Sequence, residues 1–213
     1  HCVSQDILQN AHALGLEKSK AVVIRPGVNL TYFQPQPKPV SPTLKLISVG
    51  NVSWVKGFDF ALEAVAQLKK ENLAFEYTIV GDGPDRERLQ FSRNDLDLNE
   101  VVHLPGRLPH DRIKEMVAAA DIYLLSSVSE GIANVVIEAM ACGLVVISTD
   151  CGGMTEVVKN GVNGFVVPMR DPQAMADKIK WLVKNPESLH QIGSHARAYV
   201  EKHHDLKNQI EQY

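Results

Sequence analysis

Short apolar runs alternate with segments of helical periodicity along most of the chain. Leu44–Val49 is an apolar run closed by Gly50, and Phe58–Lys69 then carries Phe58, Ala61, Leu62, Val65 and Leu68 at helical spacing. Phe75–Val80 ends at Gly81 and leads into the charged helix Asp85–Phe91. Val101–Leu104 ends near Pro105 and Gly106 and leads into the helix His110–Ala119. Ile122–Leu125 is followed by a loop and an apolar helix over 133–141, and Leu144–Ser148 by a short helix near Met154–Val158. Gly164–Val167 is introduced by the turn dipeptides Asn160-Gly161 and Asn163-Gly164. Two helices follow near 171–184 and 186–201, with a third from 204. Several strands are apolar throughout rather than alternating, as strands covered on both faces of a parallel sheet are. The pattern predicts a doubly wound α/β domain with its ligand crevice at the carboxyl ends of the strands.

Proline interrupts this rhythm in one place. Five of the eleven prolines (Pro26, Pro35, Pro37, Pro39 and Pro42) fall between positions 26 and 42, a stretch that sustains neither a helix nor a central strand. Residues 31–43 are therefore expected to be a linker, 44–201 the α/β domain and 202–213 a closing helix. Residues 1–30 hold a helix near Ser4–Leu14, a strand Ala21–Ile24 and the turn Pro26-Gly27. They are too few to fold alone and, with a first residue His1 rather than Met, read as the remnant of a preceding domain.

Composition narrows the field further. Of 213 residues, 45% are hydrophobic and 22% charged, which is ordinary for a globular chain that can bury its own core. Lys and Arg number 22 against 25 Asp and Glu, so no global cationic surface exists and nucleic acid is not the expected partner. Cys2, Cys142 and Cys151 are an odd number without a C-x-x-C pair. A disulfide framework or zinc site is not expected, and a reducing compartment is. No apolar stretch is long enough to span a membrane.

The chemistry is expected just after the strands. Gly50 opens the loop Gly50–Gly57, where Lys56 precedes a helix, an arrangement that offers backbone N–H groups and a positive charge to phosphate. A glycine turn with a solvated lysine fits that segment equally. Gly81-x-Gly83 lacks the third glycine of a dinucleotide fingerprint, because Arg86 occupies it, and reads as a tight turn into a Pro-initiated helix. The segment after the fourth strand, SSVSEGIANVVIEAMACG, is more specific. Glu130 and Gly131 precede a helix whose first amides, at Ile132, Ala133 and Asn134, would face an anion. Glu138 lies further along that helix among apolar neighbours, and helical side chains lean toward the amino end, so it can reach the same ligand. An unpaired carboxylate there is costly to bury. A diol donating two hydrogen bonds would satisfy it; so would a core Arg or Lys.

The E-x7-E spacing within EGIANVVIEAMACG resembles the family 4 retaining glycosyltransferases, as do Gly152-Gly153 with Glu156, the GDGP turn, Gly106–Leu108 and NGVNGFVV. The likeness covers the whole chain. It implies a GT-B architecture, two Rossmann-like domains facing across a cleft, of which this chain would be the C-terminal, donor-binding half. By that resemblance Glu130 contacts the sugar hydroxyls and faces the anomeric region, while Gly131, Ile132 and Ala133 hold the sugar and diphosphate through backbone amides. Asn134 opens the same helix. Glu138 would bind the ribose hydroxyls, Lys56 would neutralise the diphosphate beside Gly50, and Arg107 and Leu108 would position the nucleobase. Glu130 and Lys56 would be the catalytic pair. Asn51 departs from the family's usual arginine, which removes one cation from the leaving diphosphate. Ile132 and Ala133 replace a frequent Phe-Pro pair.

The resemblance further implies a nucleotide-sugar donor and an acceptor glycan or lipid-linked glycan reached through the missing domain. It implies a cytoplasmic setting, with any membrane association at the inner face and through that domain. No cofactor or metal is implied, and the chain alone is expected to be incomplete for catalysis. Two other readings share the fold: a non-catalytic nucleotide-sugar-binding module, and a GT-B nucleotide-sugar epimerase. Trp54 and Trp181 are expected to be packing residues, and His103, His110, His195, His203 and His204 to be solvated or core histidines. The segment from 202 is expected to fray or to make an intermolecular contact.

Overall fold

The structure, a computed structural model, describes residues 1–38 and 41–210. Six strands, β1 (Leu44–Val49), β2 (Phe75–Val80), β3 (Val102–Gly106), β4 (Ile122–Leu125), β5 (Val145–Thr149) and β6 (Phe165–Val167), form one sheet in the order β3-β2-β1-β4-β5-β6. Every pairing is parallel; Leu44–Val49 runs beside Phe75–Val80 without a slip, and Leu46 and Ile47 face Ile122 and Tyr123 across the other edge. This is a Rossmann-like sheet. The strand order reverses between β1 and β4, and the crevice outside their carboxyl ends is where such sheets bind ligands.

Neighbouring residues of each strand point to opposite faces, which explains the unbroken apolar runs. Leu46, Leu124 and Ile147 face α2 (Phe58–Lys70), α3 (Arg86–Asp95) and α7 (Pro172–Lys184). Ile47, Tyr123 and Val146 face α4 (His110–Ala119), α5 (Asn134–Ala141) and the second half of α8 (Pro186–His203). Each fully buried aliphatic side chain contributes about 1.5–3 kcal/mol, so two continuous cores hold the domain without covalent staples. Cys2, Cys142 and Cys151 are free and buried, and burial pushes the Cys142 thiol up to about 11.

Several expectations are corrected. The helix near Ser4–Leu14 is α1 (Gln5–Ala13), capped by the Ser4 hydroxyl, but Ala21–Ile24 is not a strand. It makes a single bridge, Val23 to Cys2, because the extended backbone beside it is only the short stretch before α1. Residues 1–30, too few to fold alone, pack against the α/β domain: Cys2, Ser4, Ile24 and Val28 are buried, and Val28 bridges to Asp205, just before α9 (Leu206–Ile210). Within the expected linker, Phe33 is buried and Tyr32 stacks on His110, so the extended part begins at Gln34. Pro39 and Val40 of that linker, and 211–213 of the expected closing helix, lie outside the described residues. The helix expected over Asp85–Phe91 runs from Arg86 to Asp95, and Pro84 stands in the turn before it rather than in its first turn. Trp54 is 65% exposed and packs into no core; Trp181 meets Phe165 edge-on. His204 is fully buried, with Nδ1 2.8 Å from the Pro26 carbonyl.

Candidate functional site

The loops after β1, β2 and β3 converge at the carboxyl ends of their strands. A cleft of about 210 Å³ opens there, lined by Val49, Gly50, Asn51, Val80, Gly81, Asp82, Arg107, Leu108 and Ile113. Gly50, Asn51, Arg107 and Leu108 are thus brought together on one wall. The Gly81–Gly83 turn is held against the β1 loop by Val52 N–H to Asp82 O at 2.9 Å and Asp85 N–H to Val52 O at 3.1 Å. Arg86 secures the same wall. Its guanidinium donates to the carbonyls of Leu104 at 3.0 Å and Gly81 at 3.4 Å, which gives the residue in place of the third glycine a structural task.

Lys56 joins this cleft to the β4 loop. Its Cε lies 3.4 Å from where a Cβ on Gly50 would stand, and its Nζ reaches Glu130 Oε1 at 2.5 Å. The pair is largely shielded, with 23% of the lysine and 14% of the glutamate side chain exposed. Ser127 Oγ donates to the same carboxylate oxygen at 2.8 Å. Backbone bonds fix both partners: Ser126 Oγ donates to Lys56 O at 2.8 Å and Val128 N–H to Val55 O at 2.8 Å. Gly57 turns the chain into α2 at φ +58°, with the Ser126 carbonyl packed where a side chain would be. Only glycine fills that position without strain.

Glu138 is half-buried on α5 and has neither a hydrogen-bond nor an ion-pair partner among the described residues. The core salt bridge that would have explained it is therefore not there. Burial raises its pKa, with the charge of His110 acting the opposite way. The Tyr123 phenol marks how near the two glutamates come to the β1–β4 junction. Its oxygen donates to Val49 O and accepts from Val49 N–H; burial pushes its pKa far up, and Glu130 and Glu138 both add to that.

The backbone amides before α5 are only partly as expected. Ile132 and Ala133 are buried, and the Ala133 N–H points at Met154 Sδ, 3.5 Å away. The amides of Gly131, Ile132 and Asn134 have no acceptor among the described residues. Val49, Val80, Gly81, Asp82 and Ile113 line the cleft without having been named as binding residues from the sequence. The first four follow from the strand-end rule, whereas Ile113 is one helical apolar residue among many. Among the described residues, no group of three or more His, Cys, Asp and Glu could hold a metal ion.

A family model described as glycosyl transferases group 1 matches residues 32–199. The chain belongs to that family. This group 1 glycosyl transferase is 36% identical over 206 residues to WcaL of Escherichia coli (strain K12), named for colanic acid biosynthesis; the match covers 92% of this chain and 50% of WcaL. It is 34% identical over 196 residues to the amylovoran biosynthesis glycosyltransferase AmsK of Erwinia amylovora, covering 89% and 48%. The chain spans about half the length of the curated relatives it matches. Among solved structures, Anabaena HepE in complex with UDP and glucose shares the fold at a TM-score of 0.89, with 23% identity over 99% of this chain and 60% of HepE. A Rickettsia africae glycosyltransferase superposes at 0.87 with 25% identity over 99% of this chain and 60% of its own. The glycosyl transferase chain has no helix among its described residues long and apolar enough to cross a membrane.

Proposed function

We propose that this chain is the donor-binding half of a retaining glycosyltransferase, which moves a sugar from a nucleoside diphosphate to an acceptor hydroxyl. The observation that carries the reading is the Lys56–Glu130 pair, 2.5 Å apart and next to Gly50, which lines the strand-end cleft. A donor laid along this line would put its base near Arg107 and Leu108, its ribose diol on the unpaired Glu138 carboxylate and its diphosphate by Lys56. The sugar would then meet Glu130. As the bond from the anomeric carbon to the diphosphate breaks, negative charge grows on the leaving oxygen. Lys56 and the free amides before α5 oppose that charge, which is how such sites lower a barrier. The acceptor oxygen bonds to the anomeric carbon from the face the diphosphate leaves, and its proton passes to the departing phosphate. Glu130 orients the sugar and keeps Lys56 in place until the diphosphate takes it over.

The acceptor, a glycan or lipid-linked glycan, is assigned to residues outside this chain, in a cytoplasmic setting at the inner face of the membrane. Full-length protein is therefore the material for the test. Calorimetric titration with UDP, GDP and ADP identifies the nucleotide, and proton NMR of the transfer product reads the anomer formed. Retention of the donor's anomeric configuration is the expected result; inversion, or no nucleotide bound at millimolar concentration, would refute the reading. Asn51 on the cleft wall favours a second possibility, a nucleotide-sugar-binding module without turnover. Under that reading Asn51→Arg tightens nucleotide binding about tenfold yet yields no transfer or donor hydrolysis.

A further inference from the structure

The sequence couples Glu156 to the double glycine only by spacing, and the structure gives its carboxylate an unusual set of partners. Oε1 accepts the amides of Gln5 at 2.7 Å and Asp6 at 3.2 Å, the first two of α1, from 150 positions away. Oε2 holds Arg25 Nη2 at 2.9 Å, and the Glu156 carbonyl accepts the Tyr199 hydroxyl at 2.9 Å. Ser4 Oγ takes the third amide, Ile7 N–H, at 3.2 Å. A carboxylate at a helix amino end is favoured by the helix dipole and by charge-assisted hydrogen bonds. Here it ties residues 5, 6 and 25 to α6 (Met154–Val157).

What this clamp presses on is the loop assigned to the donor sugar. Val3 Cγ2 and Ile7 Cδ1 stand 2.7 and 2.8 Å from where a Cβ on Gly131 would be, so the helix entry can approach this closely only over glycine. Ser4 is fully buried, its Cβ 2.5 Å from the corresponding point on Gly153, and the Gly131 carbonyl is 2.9 Å from that point. Met154, at the start of α6, carries the sulfur that faces the Ala133 amide. The entry of α1, the Glu130–Ala133 loop and Gly152–Glu156 therefore form one block, closed by one carboxylate.

We propose that Glu156 is a positioning residue for the donor sugar: it clamps the amino end of α1 and Arg25 so that Val3, Ser4 and Ile7 fix the Glu130–Gly131 loop. This rests on the donor-site reading above. The nucleotide cleft is walled by other residues, so the two halves of the donor respond differently when the clamp is lost.

The test uses the full-length protein with two probe pairs, UDP with UDP-glucose and GDP with GDP-mannose. In Glu156→Ala, nucleoside diphosphate affinity stays within about threefold of wild type while kcat/KM for the nucleotide sugar falls about tenfold or more. Deuterium exchange quickens at the amides of Val136 and Ile137, which donate to the Ala133 carbonyl of that loop. Glu156→Gln restores most of the turnover, because its amide oxygen still accepts from Gln5 and Asp6. Val3→Ala leaves the clamp in place and gives the same split at about threefold amplitude, which keeps the idea testable should Glu156→Ala not fold. Unchanged turnover in folded Glu156→Ala, parallel loss of nucleotide and sugar-nucleotide binding, or unaltered exchange at Val136 and Ile137 would each overturn the proposal. Wild-type protein that binds none of UDP, GDP and ADP would instead sink the donor-site reading itself.

Discussion

Replacing Glu138 should move binding and stability in opposite directions. The carboxylate is half-buried without a partner, and burial raises its pKa. With the folded value above the unfolded one, the native state holds more protons between the two, so stability falls as pH rises through the folded value. The penalty is complete above that value and absent below the ordinary glutamate range. Leaving a polar group poorly solvated and unpaired costs about 1 kcal/mol at a half-buried position. Glu138→Gln should therefore raise the melting temperature by about 2–4 °C at neutral pH for a chain of this size, a gain that fades as the pH falls below the ordinary glutamate range. Binding should go the other way. A hydroxyl-to-carboxylate hydrogen bond contributes about 1.5–3 kcal/mol, so losing the charge weakens nucleotide binding roughly 10- to 100-fold. Calorimetry with UDP and 2′-deoxy-UDP locates the effect. Wild type should discriminate against the deoxy form about tenfold, and Glu138→Gln should discriminate far less. A variant that binds UDP as tightly as wild type, or that loses stability, would refute the argument, since the first means that Glu138 does not hold the ribose and the second that it has a protein partner.

Three further outcomes follow from the geometry. Lys56→Ala removes the cation at the leaving group and should lower donor turnover about 100-fold, as losing one such donor does elsewhere; an effect confined to KM would count against that role. Gly57→Ala puts a side chain at φ +58° against the Ser126 carbonyl and should cost roughly 2 kcal/mol or more in urea unfolding. His204 is buried, its Nε2 has no partner, and burial lowers its pKa, with Arg25 and His203 adding to this and the Pro26 hydrogen bond opposing it. Below the ordinary histidine value the unfolded chain takes up the proton first, so stability drops as pH falls from about 6.5 toward the folded value. His204→Asn, which retains a donor for the Pro26 carbonyl, should show a shallower loss between pH 7 and pH 5 in urea melts.

Periodicity was sufficient for the sheet and its helices because each strand had to be apolar on both faces, and that demand is written residue by residue. Thus Leu46 and Ile47, adjacent in the chain, enter different cores. Strand ends likewise announced most of the site, since a parallel sheet with a strand-order reversal leaves one crevice for loops such as Gly50–Lys56 and Glu130–Ala133. Local patterns failed where partners are distant. Ala21–Ile24 has the composition of a strand but only Cys2 to pair with, and Trp54 has the character of a core residue but stands on the rim. Whether Glu138 is paired depends on every element that could have brought it a cation, and among the described residues none does. Glu156 makes the same point most sharply. The sequence determines that a carboxylate follows Gly152-Gly153, while only the tertiary structure decides that it caps a helix 150 residues earlier, because hydrogen-bond partners are selected by distance in space.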